Sequence, residues 1–246
     1  MFMLLRFLSI LGTLEGKAEK EGETMFQGFN EETLAFLWGI RFNNERDWFL
    51  AHKQDYQNFV NEPLKALGQE VYEELHAAFP KEELFCKLSR IYRDARRLFG
   101  RGPYKDHMWF CIRRAGDAWE ERPTFWFEIS PEGYSYGMGF YAAKASTMAE
   151  FRRELDAEPQ RFLKIARALA KQKTFTLTGE DYARKKGEAE GLLARWYNKK
   201  NIAMECTRSY DELSFSPALK DELVRGFSEL MPLYRYFEDL SRRIEK

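Results

Sequence analysis

Four short runs in the middle of the chain constrain the fold most. Residues 88–94, 107–113, 124–130 and 134–140 are aromatic-rich and bounded by Gly, Pro or charged turns, the pattern of half-buried strands. Successive side chains of a strand point to opposite faces. In the second run Met108, Phe110 and Ile112 therefore face one way, and His107, Trp109, Cys111 and Arg113 the other. In the third, Phe125, Phe127 and Ile129 oppose Thr124, Trp126, Glu128 and Ser130. In the first, Arg90, Tyr92, Asp94 and Arg96 share a face; in the fourth, Gly137 and Gly139 lie away from Tyr136, Met138 and Phe140. One sheet face is plain core. The other carries Arg90, Asp94, His107, Trp109, Trp126 and Glu128 beside two glycines that permit close approach.

Helical patterns flank this block. Asn30 caps 31–41, with Leu34, Leu37, Trp38 and Arg41 on one face. Asn44 is expected to cap a second helix, on which Trp48, His52, Tyr56 and Phe59 align. Pro63 opens a third, with a Leu64, Leu67, Val71, Leu75 and Phe79 stripe. Helices return at 147–155 and 159–171, strands at 174–178 and 202–208. Ser216 and Pro217 open a C-terminal helix that Pro232 is expected to kink or break. The order predicts an α+β fold: an antiparallel β-sheet meander packed against N-terminal and C-terminal α-helices.

Residues 1–24 read as a dispensable extension and 25–246 as a single α+β domain. Positions 1–14 are apolar but interrupted by Arg6 and too short to span a membrane; a weak membrane-surface anchor is the alternative reading. Lys plus Arg and Asp plus Glu both total 39, which argues against a general nucleic-acid coat. The charge is nevertheless segregated: Lys87, Arg90, Arg93, Arg96, Arg97, Arg101, Lys105, Arg113 and Arg114 face only Asp94 and Asp106 between positions 87 and 114. Cys86, Cys111 and Cys206 have no metal-ligand spacing and read as reduced, buried thiols of a cytoplasmic protein.

Two segments are distinctive: Asn43-Asn44-Glu45-Arg46-Asp47-Trp48-Phe49, followed by His52 and Tyr56; and Arg90-Ile91-Tyr92-Arg93-Asp94-Ala95-Arg96, followed by Pro103-Tyr104-Lys105-Asp106-His107. Together they resemble the domain-of-unknown-function 2461 family, mainly bacterial, over about Met25 to the C-terminus, an estimate of one-domain extent. The chain departs from many members at Arg97 and Gly100-Arg101. The resemblance implies a shared site at Asn44, Asp47, Trp48, His52, Arg93, Asp94, Arg96, Tyr104, Lys105 and His107, and implies no reaction.

The residues themselves point to a basic, aromatic-lined cleft. Arg90, Arg93, Arg96 and Lys105 suit a phosphate or carboxylate, with Tyr104, His107, Trp109 and Trp126 as further ligand-binding candidates. His52, Asp94 and His107 are the acid–base candidates, because imidazole titrates near neutral pH; no ligand pair predicts a metal, and no motif implies a cofactor. Against this stands an internal network in which Asp94, Asp47 and Glu128 neutralise the arginines. Three functions stay open: binding of, or catalysis on, a small phosphorylated or otherwise anionic ligand; action on nucleic acid through the same strip; and docking of an acidic peptide without catalysis. The oligomeric state is not legible.

Overall fold

The computed structural model describes residues 25–244 apart from positions 95, 97, 99, 117 and 118. The expected extension, 1–24, lies outside the described residues. Helix α1 spans Glu31–Phe42 and is capped as expected: the Asn30 side chain accepts from the Thr33 amide at 2.9 Å. Its buried stripe is Thr33, Phe36, Leu37 and Ile40, one position off the expected face, so Trp38 stays exposed at 38%. Helix α2 spans Arg46–Ala51, and the single turn α3, Lys53–Asp55, runs into a π turn, Tyr56–Asn61, before α4, Glu62–Ala78. Trp48 and Tyr56 both pack against Phe36, and His52 stacks on Trp48, so these three share a face; the wide turn alters the 3.6-residue repeat only from Tyr56 onward, before Phe59. The Leu64, Leu67, Val71 and Leu75 stripe of α4 is fully buried.

The sheet comprises β1 (Leu84–Leu88), β2 (Met108–Arg114), β3 (Pro123–Ser130), β4 (Gly133–Phe140), β5 (Thr176–Thr178) and β6 (Ala203–Arg208). Its order is β1-β2-β3-β4-β6-β5, every neighbour antiparallel. Helices α5 (Ala145–Ala157), α6 (Pro159–Leu169) and the short α7 (Ala194–Tyr197) lie between β4 and β6 in sequence, and α8 (Ala218–Ile244) closes the chain. The fold is α+β, with helices at both ends of the chain as the alternation predicted.

Strand β1 is the main correction. It ends where it was expected to begin, because Ser89 uses its hydroxyl as a ladder group: its N–H donates to the Trp109 carbonyl at 2.8 Å, and its Oγ accepts from the Trp109 amide at 3.1 Å. Residues 90–94 leave the sheet and pair instead with the returning arm, through an isolated antiparallel bridge of Tyr92 with Tyr104, so Arg90, Tyr92 and Asp94 alternate as exposed residues with buried Ile91 but do not lie on the sheet face.

The two faces of β2–β4 are as expected. Phe110 pairs with Phe127, their rings 5.5 Å apart, and Met108, Ile112, Phe125 and Ile129 are fully buried on the same side. Truncating such a phenylalanine to alanine costs about 3–5 kcal/mol. Helices α4 and α8 pack on this face, α8 through Phe227 and Tyr234 against Phe125. Helix α8 runs unbroken through Pro232, correcting the expected break. Pro232 lies on its exposed side, where the carbonyl freed one turn earlier can turn to water.

Candidate functional site on the open sheet face

The second face of the sheet follows from the register. Lys87, Cys111, Trp126, Gly137, Glu205 and Thr176 form one cross-strand row; Trp109, Glu128, Ser135 and Thr207 form the next. Lys87, Thr176 and Thr207 are exposed, while Trp109, Trp126, Glu128 and Glu205 are half-buried. This polar, tryptophan-bearing surface contrasts with the fully buried row of Phe110, Phe127 and Tyr136 behind it.

Beyond Ser89 the chain makes a long excursion that supplies the basic residues. Its two arms stay paired: Arg93 N–H donates to the Pro103 carbonyl at 2.8 Å, and Lys105 N–H to the Ile91 carbonyl at 2.7 Å. Asn44 fixes the outer arm. Its Oδ1 accepts from the Tyr104 amide and its Nδ2 donates to the Tyr104 carbonyl, both at 2.9 Å, so one side chain imitates a neighbouring strand. Asn44 is therefore not the helix cap; Glu45 occupies that position. Gly102 makes room, since a Cβ there would lie 2.2 Å from Asn44 Oδ1. The two distinctive segments thus meet through a structural clamp.

The sequence-predicted residues divide into groups. Tyr104 is buried and stacks on Phe49 at 4.3 Å, with Tyr92 at 5.3 Å. Its ring is core, so it is not a surface that a ligand reaches. Arg93 donates from Nε to the Tyr104 carbonyl at 2.7 Å and from Nη2 to Asp106 at 3.2 Å. Arg96 forms a two-point pair with Asp94, at 3.0 and 2.7 Å, with its side chain 87% exposed. Asp94 and Arg96 therefore pair with each other at an exposed tip and do not converge with Arg93 on a cleft. His52 stacks on Trp48 at 4.0 Å, and its Nδ1 lies 2.8 Å from the Trp48 carbonyl, where it donates. Among the described residues no contact joins His52 to Asp94 or His107.

Lys105, His107, Trp109, Trp126 and Glu128 are brought together. Lys105 Nζ sits 5.7 Å from the Trp109 ring centroid and donates to the Arg90 carbonyl at 2.7 Å. Burial, and then the charges of Arg90 and Arg93, push its ammonium pKa down, against an opposing pull from Glu128. The Arg90 side chain is exposed and has no partner among the described residues. His107 Nδ1 lies 3.1 Å from Asp106. The Glu128 carboxylate makes no hydrogen bond or ion pair among the described residues. Burial raises its pKa; Glu205 and Asp106 push further up, while His107 and Lys105 pull down.

Sequence reasoning missed Asp106, the hub of the internal network. It accepts from Arg41 Nε at 2.6 Å as well as from Arg93, and Arg41 also pairs with Glu132. Burial pushes the Asp106 carboxyl up, but hydrogen bonds from Arg41 and His107 prevail and hold it at about 2. Asp106, not Asp47 or Glu128, neutralises Arg93. Its place in the Pro-Tyr-Lys-Asp-His turn was the available signal. Glu205 was missed too, although carrying the alternation into β6 finds it.

Cys86, Cys111 and Cys206 are free thiols; burial pushes Cys86 up to about 12. Among the described residues no group of three or more His, Cys, Asp and Glu side chains is placed to hold a metal ion, and no helix is long and apolar enough to cross a membrane.

Fold and surface together define a class: an α+β protein whose antiparallel sheet is packed by helices on one face and leaves a charged, tryptophan-bearing face opposite. The chain belongs to the DUF2461 family of conserved hypothetical proteins, whose sequence profile matches residues 32–236. A search among curated proteins finds no match.

Proposed function

We propose that the open sheet face binds a small phosphorylated or otherwise anionic ligand, with Lys105 and Arg90 taking the anion and Trp109 and Trp126 lining the floor. One observation carries this reading. The Lys105 ammonium is half-buried over an indole, beside Arg90 and Arg93, and among the described residues it hydrogen-bonds to a neutral carbonyl. Arg93 is answered by Asp106 and Arg96 by Asp94, whereas among the described residues no carboxylate forms an ion pair with Lys105 or Arg90, and Lys105 feels only the more distant charge of Glu128. An anion between Lys105 and Arg90 would supply the missing negative charge, and a half-buried setting strengthens that attraction over its value in water. His107 and Glu128 stand close enough to act as acid–base groups should the ligand be transformed. The reduced thiols suit a cytoplasmic protein.

Inorganic phosphate is expected to raise the melting temperature by mass action, following the logarithm of its concentration over Kd. Lys105→Met should abolish that rise and leave the fold intact, and added salt should weaken the effect. Arg93→Ala is the contrast: it should chiefly lower stability, because it removes a half-buried partner of Asp106. No anion-dependent shift in the unaltered protein would refute the reading.

A further inference from the structure

The open face is polarised in a way that a bare anion does not use. Its cations, Lys87, Arg90 and Lys105, lie on or beside β1 and β2. Its carboxylates, Glu128 and Glu205, lie on β3 and β6. Trp126 lies between Lys87 and Glu205 in their row, while Glu128 stands across from Trp109, near enough to Lys105 for the two charges to act on each other. The outermost atom of the Trp126 indole, Cη2, would lie 2.9 Å from a Cβ built on Gly137, on the neighbouring strand. The long axis of the indole therefore lies across the sheet from β3 toward β4, over the one position in that row with no side chain. A half-buried tryptophan lying down on a sheet is a platform on which a flat ring can stack. Glu128 stands two positions along β3 from Trp126, and its carboxylate has no hydrogen-bond partner among the described residues. Glu205 sits directly beyond Gly137 in the same row, its carboxylate accepting from the Thr178 and Thr207 hydroxyls at 3.3 and 3.4 Å.

We infer that the anionic ligand is a nucleotide: its phosphate meets Lys105 and Arg90, its base stacks on Trp126, and the N–H edge of the base donates to Glu128 and Glu205. This rests on the anion reading above and adds the ring and its donors. Charge complementarity selects the occupant. A simple phosphate leaves the Glu128 carboxylate without a hydrogen-bond donor. A nucleic-acid strand would run further phosphates across Glu128 and Glu205, against like charge, on a protein whose total charge is zero. One phosphate held by Lys105 and Arg90, with N–H donors turned to the carboxylates, matches the face. Purine bases with several ring and amino N–H groups fit the carboxylates better than bases poor in donors.

The test is calorimetric titration of the full chain with inorganic phosphate, ribose 5-phosphate, guanosine monophosphate and a short single-stranded oligonucleotide. Guanosine monophosphate is expected to bind about tenfold or more tighter than ribose 5-phosphate, the scale of one base on an aromatic side chain. Trp126→Leu keeps apolar bulk but removes the stacking surface, and should bring the two affinities together. Trp126→Phe should keep most of the difference. The readout is the ratio of nucleotide to ribose 5-phosphate affinity in each protein, which a general weakening of the floor would not change. Equal binding of nucleotide and sugar phosphate would overturn the nucleotide while leaving the anion clamp in place. Absence of binding by every anion would overturn both. An oligonucleotide binding far more tightly than the mononucleotide would make the face a strand-binding surface and overturn the inference as well.

Discussion

Removing the Asn44 amide tests whether one side chain holds the basic excursion on the body of the protein. The two hydrogen bonds to Tyr104 are both 2.9 Å long, and Tyr104 is only 4% exposed. In Asn44→Ala the Tyr104 amide loses its partner, while its carbonyl keeps Arg93 Nε at 2.7 Å. A buried N–H left unsatisfied costs about 1–3 kcal/mol, and the second, partly compensated bond adds roughly 0.5–1.5 kcal/mol. The sum is about 1.5–4.5 kcal/mol. For a domain of this size each kcal/mol moves the melting temperature by roughly 2–4 °C, so a fall of about 3–18 °C is expected. Asn44→Asp keeps the acceptor and loses the donor, and should fall less. Urea unfolding gives the free energies, and amide exchange locates them: the protection of Tyr104 should drop more than that of Phe110 or Phe127. If Asn44→Ala unfolds within about 0.5 kcal/mol of the parent, the level of an ordinary surface substitution, the clamp contributes nothing and the account of the two motifs fails.

Other outcomes follow from the same geometry. The Asp106 carboxyl is held at about 2 against an ordinary 3.8, so the stability it contributes is present above 3.8 and is lost as pH falls toward 2; Asp106→Asn should flatten acid unfolding in that window. Glu128 has the opposite sign: its pKa is raised above 4.5 by burial, so its ionised form opposes folding at neutral pH. Glu128→Gln should therefore stabilise the protein at pH 7, with the gain shrinking as pH falls through the raised folded-state pKa toward 4.5; equal gains at pH 7 and below 4.5 would show that charge is not the cause. Gly102→Ala should mimic Asn44→Ala in urea, because its Cβ would fall 2.2 Å from Asn44 Oδ1. A chain beginning at Met25 should melt within a few degrees of the full chain, since Phe26 and Phe29 are already core residues and the Phe26 amide is held by Glu70 at 2.5 Å; a large fall would make the preceding residues part of the fold.

Strands β2 to β4 were legible because large apolar and polar residues alternate without interruption, so both faces could be assigned from spacing. Strand β1 was misplaced because 88–94 also alternates; what ends the strand is the Ser89 hydroxyl, which no alternation reveals. The start of α1 was legible in Asn30, whose cap is local. The role of Asn44 was not, since its partner lies sixty residues on and only the folded chain joins them. The basic strip was visible as composition, but which arginine meets which carboxylate depends on where the excursion folds back. The cluster of Lys105, His107, Trp109, Trp126 and Glu128 was anticipated because four of its members sit on or beside strands whose period is two.

The sheet order also bears on how the molecule is assembled. Strands β1 to β4 are neighbours in both sequence and space, so they can zip up in succession, each closing a modest loop. Strand β6 pairs with β4 only after α5, α6, β5 and α7 have been spanned, Gly137 meeting Glu205, and closing that longer loop costs more entropy before any contact rewards it. The order expected of refolding is therefore meander first and β6 with β5 last. Glu205 arrives with the final strand, so the tryptophan floor forms early and its acidic border is laid down only at the end.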